Sequence, residues 1–258
     1  MIKYIKDDPI YNPPILIQPG NGLDAATWLQ ELNEHRLTPF PLQLARKGFI
    51  VWMMNNRGTE YSRDHIRVDT DSQEYWDYDF FDEWLDVEAN IRVMKSFTGY
   101  NELYYVGYSS ATTQMLYGMV EDSAKLENKL LKAVFLAPCT IPANAPPGAI
   151  GIWKSGIDVY SFSGPNWSED KPKACAVIPE ADCDQLNSYD KRQATSVKSN
   201  AHLGQLAESN RFQKFVKEWP TKKVGVKIDL DRVRYPISMY VDQFDTVCLA
   251  AIADLTKQ

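Results

Sequence analysis

Leu103-Tyr-Tyr-Val-Gly107-Tyr108-Ser109-Ser110-Ala111 is the stretch that decides the fold of this chain of 258 residues. It opens with a short apolar run typical of a β-strand, and the apolar residues from Ala111 onward recur at helical spacing. The turn between strand and helix has the pattern Gly-x-Ser-x-Ala, in which small residues permit a sharp bend. A serine there projects its hydroxyl beside the free N–H groups of the new helix. The pattern predicts a nucleophile at Ser109; the alternative is an ordinary strand-to-helix turn.

The rest of the chain repeats this alternation of short apolar runs and longer helical stretches. Strands are expected at 14–18, 49–55, 103–107, 131–137 and 236–241, and helices at 26–32, 84–97, 111–131, 195–216 and 246–257. Such an order predicts an α/β fold, a mostly parallel sheet with helices on both faces. A Pro-rich stretch at 140–187 interrupts it and predicts a cap over the sheet. We therefore divide the chain into a core (1–139), a cap insertion (140–220) and a final strand and helix (221–258).

Composition excludes several classes of protein. The 28 basic and 34 acidic side chains are scattered, so nucleic acid is not an expected partner. No apolar run is long enough to span a membrane, and the N-terminus lacks the pattern of a secretory signal, so an intracellular or organellar location is expected over secretion. The 4 cysteines show no Cys-x-x-Cys pair, which favours free thiols over a disulfide scaffold or a metal cluster. No cofactor is expected.

A second motif lies where the first predicted strand ends. Ile15-Leu-Ile-Gln18 runs into Pro19-Gly20-Asn21-Gly22, a Gly-rich loop. In an α/β hydrolase the loop at this point supplies a backbone N–H to the oxyanion hole, and Gly20 permits a close approach. Asn21 is then the expected donor. A simple Pro-Gly turn is the competing interpretation.

These motifs, taken in order, resemble those of the acid lipases, the lysosomal and gastric type of α/β hydrolase. Residues 13–20 are similar to the strand and Gln-His-Gly loop of that family, and 98–109 lead into the position of its Gly-His-Ser-Gln-Gly elbow. Between them, Asn55-Asn-Arg-Gly-Thr-Glu-Tyr-Ser-Arg-Asp-His65 and Tyr75-Trp-Asp-Tyr-Asp-Phe-Phe-Asp-Glu83 match two further segments. The resemblance covers about 13–139 and 195–250. It implies an α/β-hydrolase fold and activity on esters of neutral lipids.

The resemblance also implies roles for individual residues. Ser109 corresponds to the nucleophile, and the backbone N–H groups of Ser110 and Asn21 correspond to the oxyanion donors. Asp245, which follows the last predicted strand, corresponds to the acid of the triad. Judged without the family, Asp245 could equally cap the helix predicted at 246–257.

The chain departs from the family chiefly in its histidines. A serine hydroxyl needs an imidazole to take its proton, yet no histidine follows Asp245. His35 and His65 are expected to be structural, and His202 is the sole candidate for a substitute base. Tyr108, Ser110, Ala111 and Pro19 replace the His, Gln and Gly of the elbow and the His of the oxyanion loop. The first strands and the last strand of the family fold are expected to be absent, and the cap shortened.

Three interpretations follow from this pattern. We favour a catalytically inactive protein that serves as a structural or accessory subunit, with other protein subunits covering the exposed edges of its sheet. The alternative is an active ester hydrolase whose histidine comes from another chain or from further sequence. A lipid-binding module is the third, with a lipid or acyl ester in the cap pocket. It rests on the aromatic residues of the cap, Trp153, Tyr160, Phe162 and Trp167.

Overall fold

The computed structural model describes residues 2–3, 12–29, 38–141, 157 and 195–241. The strands are β1 (Ile2–Lys3), β2 (Ile15–Gln18), β3 (Ile50–Met53), β4 (Leu103–Tyr108), β5 (Leu130–Leu136) and β6 (Ile237–Tyr240). The helices are α1 (Phe40–Arg46), α2 (Gln73–Trp76), α3 (Trp84–Thr98), α4 (Ser110–Glu121), α5 (Ser123–Leu126) and α6 (Val197–Ser209). Short 3-10 helices lie at Ala25–Leu29, Glu60–Ser62 and Leu230–Arg232.

The strands form one sheet in the order β1-β3-β2-β4-β5-β6. Strands β2 to β6 pair in parallel, which confirms the α/β class and all five predicted strands within a few residues. The expectation that the first strands of the family fold are absent holds only in part, because a two-residue strand, β1, precedes Pro13 and pairs antiparallel with β3 at the edge of the sheet. A pair of two residues is too short to leave a periodic signal in the sequence.

The core lies on both faces of the sheet. Alternate residues of β2 point to opposite faces, so Leu16 packs in one apolar cluster while Ile15 and Ile17 pack in another. Because both faces are covered, all four residues of β2 are buried, and Ile15, Leu16 and Ile17 form a continuous apolar run before Gln18. Helix α3 packs closely on α4, where a side chain at Gly118 would meet the Trp84 ring at 2.3 Å.

The predicted helix boundaries hold in part. The helix expected at 84–97 is α3, but the one expected at 111–131 ends at Glu121 and is followed by α5 and β5. The Trp84 indole donates to the Asp122 carboxylate at 2.7 Å, immediately after α4. The apolar pattern of the sequence continues past the end of α4 because Leu126 and Leu130 are buried in the same core as α4, and this hides the end of the helix. The helix expected to end at residue 216 is α6, which ends earlier, at Ser209. The next residue, Asn210, adopts a left-handed conformation that terminates the helix.

Cys139 lies three residues beyond β5 and is disulfide-bonded, so the expectation of a free thiol is wrong for this residue. The other three cysteines lie outside the described residues. Spacing along the sequence could not reveal the bond, since it reflects proximity in space. Within the part of the chain that the structure describes, no helix is long and apolar enough to cross a membrane. The division into core, cap and final segment stays a prediction, since most of 142–194 is not described.

Candidate active site

The turn between β4 and α4 holds Ser109 in an unusual backbone conformation, with φ 55° and ψ −122°. A non-glycine residue pays about 1–3 kcal/mol for such a conformation, which persists only where surrounding contacts enforce it. Here the Ser109 N–H donates to Leu136 O at 2.9 Å, and the Ser109 carbonyl accepts from the Thr112 hydroxyl at 2.6 Å. The Ser109 side chain is half-buried, and no described group hydrogen-bonds its hydroxyl. This geometry is that of a nucleophile elbow.

Two glycines make the elbow sterically possible. A Cβ at Gly107 would lie 2.7 Å from the Tyr105 ring, so no other residue fits there without moving that ring. A Cβ at Gly20 would lie 3.3 Å from both Ser109 Cβ and Tyr108 Cδ1. The loop that carries Gly20 therefore passes directly against the turn at Ser109.

The two expected oxyanion residues lie together. Ser110 begins α4, where the first N–H groups of a helix have no partner within the helix. The Asn21 N–H, in contrast, donates to the Ser110 hydroxyl at 2.5 Å. The Asn21 side chain also donates to Asn200 of α6, at 3.4 Å. The loop, the elbow and α6 thus meet at one point.

The candidate triad acid, Asp245, lies outside the described residues, and its role stays a prediction. The strand before it, β6, ends at Tyr240, opposite Leu136 of β5. Leu136 in turn lies opposite Tyr108 at the end of β4. Neighbouring strands lie about 4.8 Å apart, so β6 delivers the chain about 10 Å from the elbow.

The two histidines in the described residues are both engaged away from Ser109. His65 is exposed, and its Nδ1 accepts from the backbone N–H groups of Arg67 and Val68 at 3.2 and 2.9 Å. His202 is fully buried, with Nε2 2.9 Å from Gln213 O and Nδ1 3.3 Å from Asp79 Oδ1. Of its two ring nitrogens, Nε2 is bonded to Gln213, whereas Nδ1 makes no hydrogen bond to a described group and faces Asp79 at ion-pair distance. His35 lies outside the described residues.

Asp79 fixes the orientation of the His202 ring. Burial raises the pKa of Asp79, but interaction with His202, a backbone hydrogen bond from Phe81 and the charge of Lys198 together outweigh burial and lower the pKa overall. The Gln213 carbonyl can only accept, so Nε2 carries a proton. Phe81 packs edge-on against the ring, with centroids 4.6 Å apart. His202 is therefore a structural residue that joins α6 to the loop before α3.

Sequence reasoning missed a buried set of hydrogen bonds below the elbow, which we call the Glu83 network. Its members, all buried or half-buried, are Gln18, Asn56, Glu83, Tyr105, Gln114, Thr195 and Ser199. Glu83 accepts from Gln114 at 2.6 Å, from Ser199 at 2.7 Å and from Asn56 at 3.1 Å. Gln18 donates to Asn56 and Gln114 and accepts from the Tyr105 hydroxyl. The network joins the residue before the oxyanion loop to α4 and α6.

Glu83 is the ionisable centre of this network. Burial raises its pKa to about 7, with Ser199 and Gln114 acting in the opposite direction through their hydrogen bonds and Asp86 adding to the increase. Arg57 bonds to Asp86 at 2.8 Å and lowers the pKa of Glu83 slightly. One signal in the sequence could have pointed to Glu83, which is a carboxylate among aromatic residues at the end of a matched segment. Its hydrogen-bond partners could not be found in this way, because they are distant along the chain.

An apolar cavity of about 280 Å³ opens beside the elbow. Its lining residues are Pro19, Leu23, Thr27, Trp28, Pro39, Phe40 and Tyr108. The Trp28 and Tyr108 rings meet edge to face, with centroids 6.0 Å apart, and the Trp28 indole N–H is buried without a hydrogen-bond partner. Tyr108 and Pro19 adjoin Ser109 and Gly20 in sequence. The cavity therefore has the position and chemistry to hold the apolar part of an ester, whereas the cap aromatics lie outside the described residues.

Part of the chain is similar to curated lipases. Lipase member M of Mus musculus is 36% identical over 141 residues, which are 53% of this chain and 32% of the relative. Lysosomal acid lipase/cholesteryl ester hydrolase of Homo sapiens is 35% identical over 103 residues, 39% of this chain and 25% of the relative. The chain thus spans a third or less of the length of these relatives. No family model matches it.

Solved structures agree on the fold. A protein described as an aryl esterase from Burkholderia cenocepacia has a TM-score of 0.53 at 12% identity, over 96% of this chain and 78% of that chain. A lipase-esterase related protein from Clostridium acetobutylicum has a TM-score of 0.50 at 10% identity, and the match covers 96% of this chain and 82% of that chain. The chain therefore has an α/β-hydrolase fold, and its curated relatives give it a lipase-like ancestry.

Proposed function

We propose that this chain is a lipase-like α/β-hydrolase protein that presents a nucleophile but does not turn over esters by itself. The observation that carries the proposal is that the contacts of the described histidines are with groups other than Ser109. Of the two described histidines, His202 is buried with Nε2 bonded to Gln213 O and Nδ1 facing Asp79 at 3.3 Å, and Nδ1 of His65 accepts from backbone N–H groups of its own loop. A serine hydroxyl without an imidazole is a weak nucleophile at neutral pH.

The elbow and the oxyanion loop can still stabilise a bound carbonyl. In triad hydrolases, removing the base leaves roughly 10³- to 10⁴-fold catalysis over water, which comes from the oxyanion hole and substrate binding. The cavity beside Tyr108 suits the apolar part of an ester. Binding without appreciable turnover is the expected behaviour of the chain alone.

A structural or accessory role within a larger assembly completes the proposal. Strand β6 pairs with β5 alone in the part of the chain that the structure describes. Tyr240 and Val241 at its end are 63% and 40% exposed. An unpaired edge with exposed apolar side chains is a template for another strand, so we propose that a partner subunit covers it.

A fluorophosphonate probe tests whether Ser109 is reactive. The purified chain is incubated with the probe beside its Ser109→Ala variant and an active serine esterase. We expect the esterase to be labelled within minutes and the chain to show no labelling above the Ser109→Ala variant. Rapid labelling that Ser109→Ala abolishes would overturn the inactive assignment.

The second candidate is an active ester hydrolase completed by a base from outside this chain. The strained backbone of Ser109 favours it, because a conformation that opposes folding is retained at functional turns. The test is rescue by added imidazole, measured with a short p-nitrophenyl ester. Imidazole hydrolyses such esters by itself, so the rate with Ser109→Ala is subtracted. A remaining imidazole-dependent rate supports this candidate, and none at any concentration opposes it.

A further inference from the structure

We propose that the Ser110 side chain is a built-in competitor for the oxyanion donor, which an ester carbonyl must displace. The inference rests on the proposed function of Ser109 as a presented nucleophile. Its basis is the contact between the Asn21 N–H and Ser110 Oγ, at 2.5 Å. The proposal concerns the hydroxyl of Ser110, whereas its backbone N–H stays a candidate donor.

The position of this contact makes it relevant to a substrate. The loop that carries Asn21 passes the elbow closely enough that a Cβ on Gly20 would lie 3.3 Å from Ser109 Cβ. A carbonyl under attack by Ser109 would turn its oxygen to this loop. The Asn21 N–H has one proton and makes one well-aligned hydrogen bond at a time. Because Ser110 is only 7% exposed, its hydroxyl, and not a water molecule, accepts the hydrogen bond from the Asn21 N–H.

The chemistry of serine explains why this residue competes. A serine hydroxyl is attached to Cβ and commonly bonds to nearby backbone groups. The glutamine that the resembled family has here carries its polar atoms two carbons farther from the backbone. The short serine side chain thus places its acceptor directly against the Asn21 N–H. Affinity for a tetrahedral, anionic ligand is the property that should change.

Binding of phenylboronic acid to the full chain tests the proposal. Ser109 Oγ bonds to the boron, its proton passes to solvent, and the boron becomes tetrahedral and anionic, with one oxygen directed to the oxyanion loop. We expect Ser110→Ala to bind about fivefold to tenfold more tightly by calorimetry, the value of one hydrogen bond. Ser110→Thr keeps the hydroxyl and should show no such gain in affinity. Unchanged or weaker binding by Ser110→Ala overturns the inference.

Hydrogen exchange of the Asn21 amide, measured by NMR, separates failure of this inference from failure of the proposed function. Loss of the Ser110 hydroxyl should accelerate exchange of this amide, and Ser110→Thr should restore protection. If no variant binds the boronic acid but the Asn21 amide exchanges faster in Ser110→Ala, the Ser110 hydroxyl does occupy the Asn21 N–H. The absence of binding then means that Ser109 is not presented as a nucleophile. Unchanged exchange overturns the inference whatever the binding result.

Discussion

The elbow and the Glu83 network both involve the start of α4, but they differ in how far their polar atoms are paired. Glu83 is 1% exposed and accepts from Asn56, Gln114 and Ser199. Ser109 has strained backbone torsions and a hydroxyl that no described group binds. Burial without partners is costly, so a buried network must be complete, whereas an open polar atom is tolerated where a ligand can reach it. The contrast separates the Ser109 hydroxyl, which is left open where a ligand can reach it, from a buried network whose hydrogen bonds stabilise the fold.

The largest expected effect is on the network. Glu83→Ala leaves the donors of Asn56, Gln114 and Ser199 without their acceptor and opens a cavity, so we expect the free energy of unfolding to fall by about 3–5 kcal/mol. Urea denaturation measures the change. Ser109→Ala is the matched elbow variant and should change stability by less than about 1 kcal/mol, since no described group bonds to the Ser109 hydroxyl. Equal effects of the two variants would contradict the comparison.

The second prediction concerns pH. Burial raises the pKa of Glu83 from 4.5 to about 7, so between these values the folded state binds more protons than the unfolded state. The stabilisation is fully present below pH 4.5 and is lost as pH rises through 7, by up to about 3 kcal/mol. Denaturation midpoints at pH 5 and pH 8 measure it. Glu83→Gln should remove the slope in this range, and a slope that survives in this variant assigns it to other groups.

Thr112→Val tests how the strained elbow is held. The Thr112 hydroxyl donates to Ser109 O and accepts from the Cys139 N–H at 3.0 Å, so valine leaves a buried N–H without a partner. We expect a loss of about 1–2 kcal/mol by denaturation, less than for Glu83→Ala. A loss as large as that of Glu83→Ala would show that the elbow contributes as much to stability as the network does.

The smallest expected effect has the opposite sign. Ser109→Gly relieves the strain of a positive φ, partly offset by the greater freedom of glycine in the unfolded chain, so we expect a gain of about 0.5–1 kcal/mol. Ser110→Gly, one residue later at the start of α4, should instead lose stability, because it removes the hydroxyl that accepts from the Asn21 N–H. A loss of stability in Ser109→Gly, measured by thermal or urea unfolding, would mean that the Ser109 side chain has contacts that stabilise the fold.

The sequence predicted the sheet well because strand signals are local. The five parallel strands are apolar runs bounded by Gly, Pro, Asn or Asp, and the elbow follows from small residues at fixed positions. It predicted helix ends less well, since an apolar pattern shared by α4, α5 and β5 does not show where the backbone changes direction. Helices α1 and α2, of 7 and 4 residues, are too short to give a clear period.

The candidate site was predictable only where its residues are close in sequence. The placement of Ser109, Ser110 and Asn21 follows from two motifs, and the structure brings these residues together. The Glu83 network joins residues from Gln18 to Ser199, and no spacing rule connects such distant positions. The engagement of His202 by Asp79 likewise depends on tertiary contacts. The role of Asp245 stays a prediction on which the structure does not bear.

The disulfide bond at Cys139 determines how the protein must be prepared. Its N–H donates to the Thr112 hydroxyl, and its carbonyl accepts from the Thr113 hydroxyl, both on the helix that follows Ser109. Glutathione and thioredoxin keep thiols reduced in the bacterial cytosol, whereas the periplasm permits oxidation. Material from these two sources will therefore differ in covalent structure next to the elbow. Measurements on Ser109 are comparable only between samples whose thiol content has been titrated.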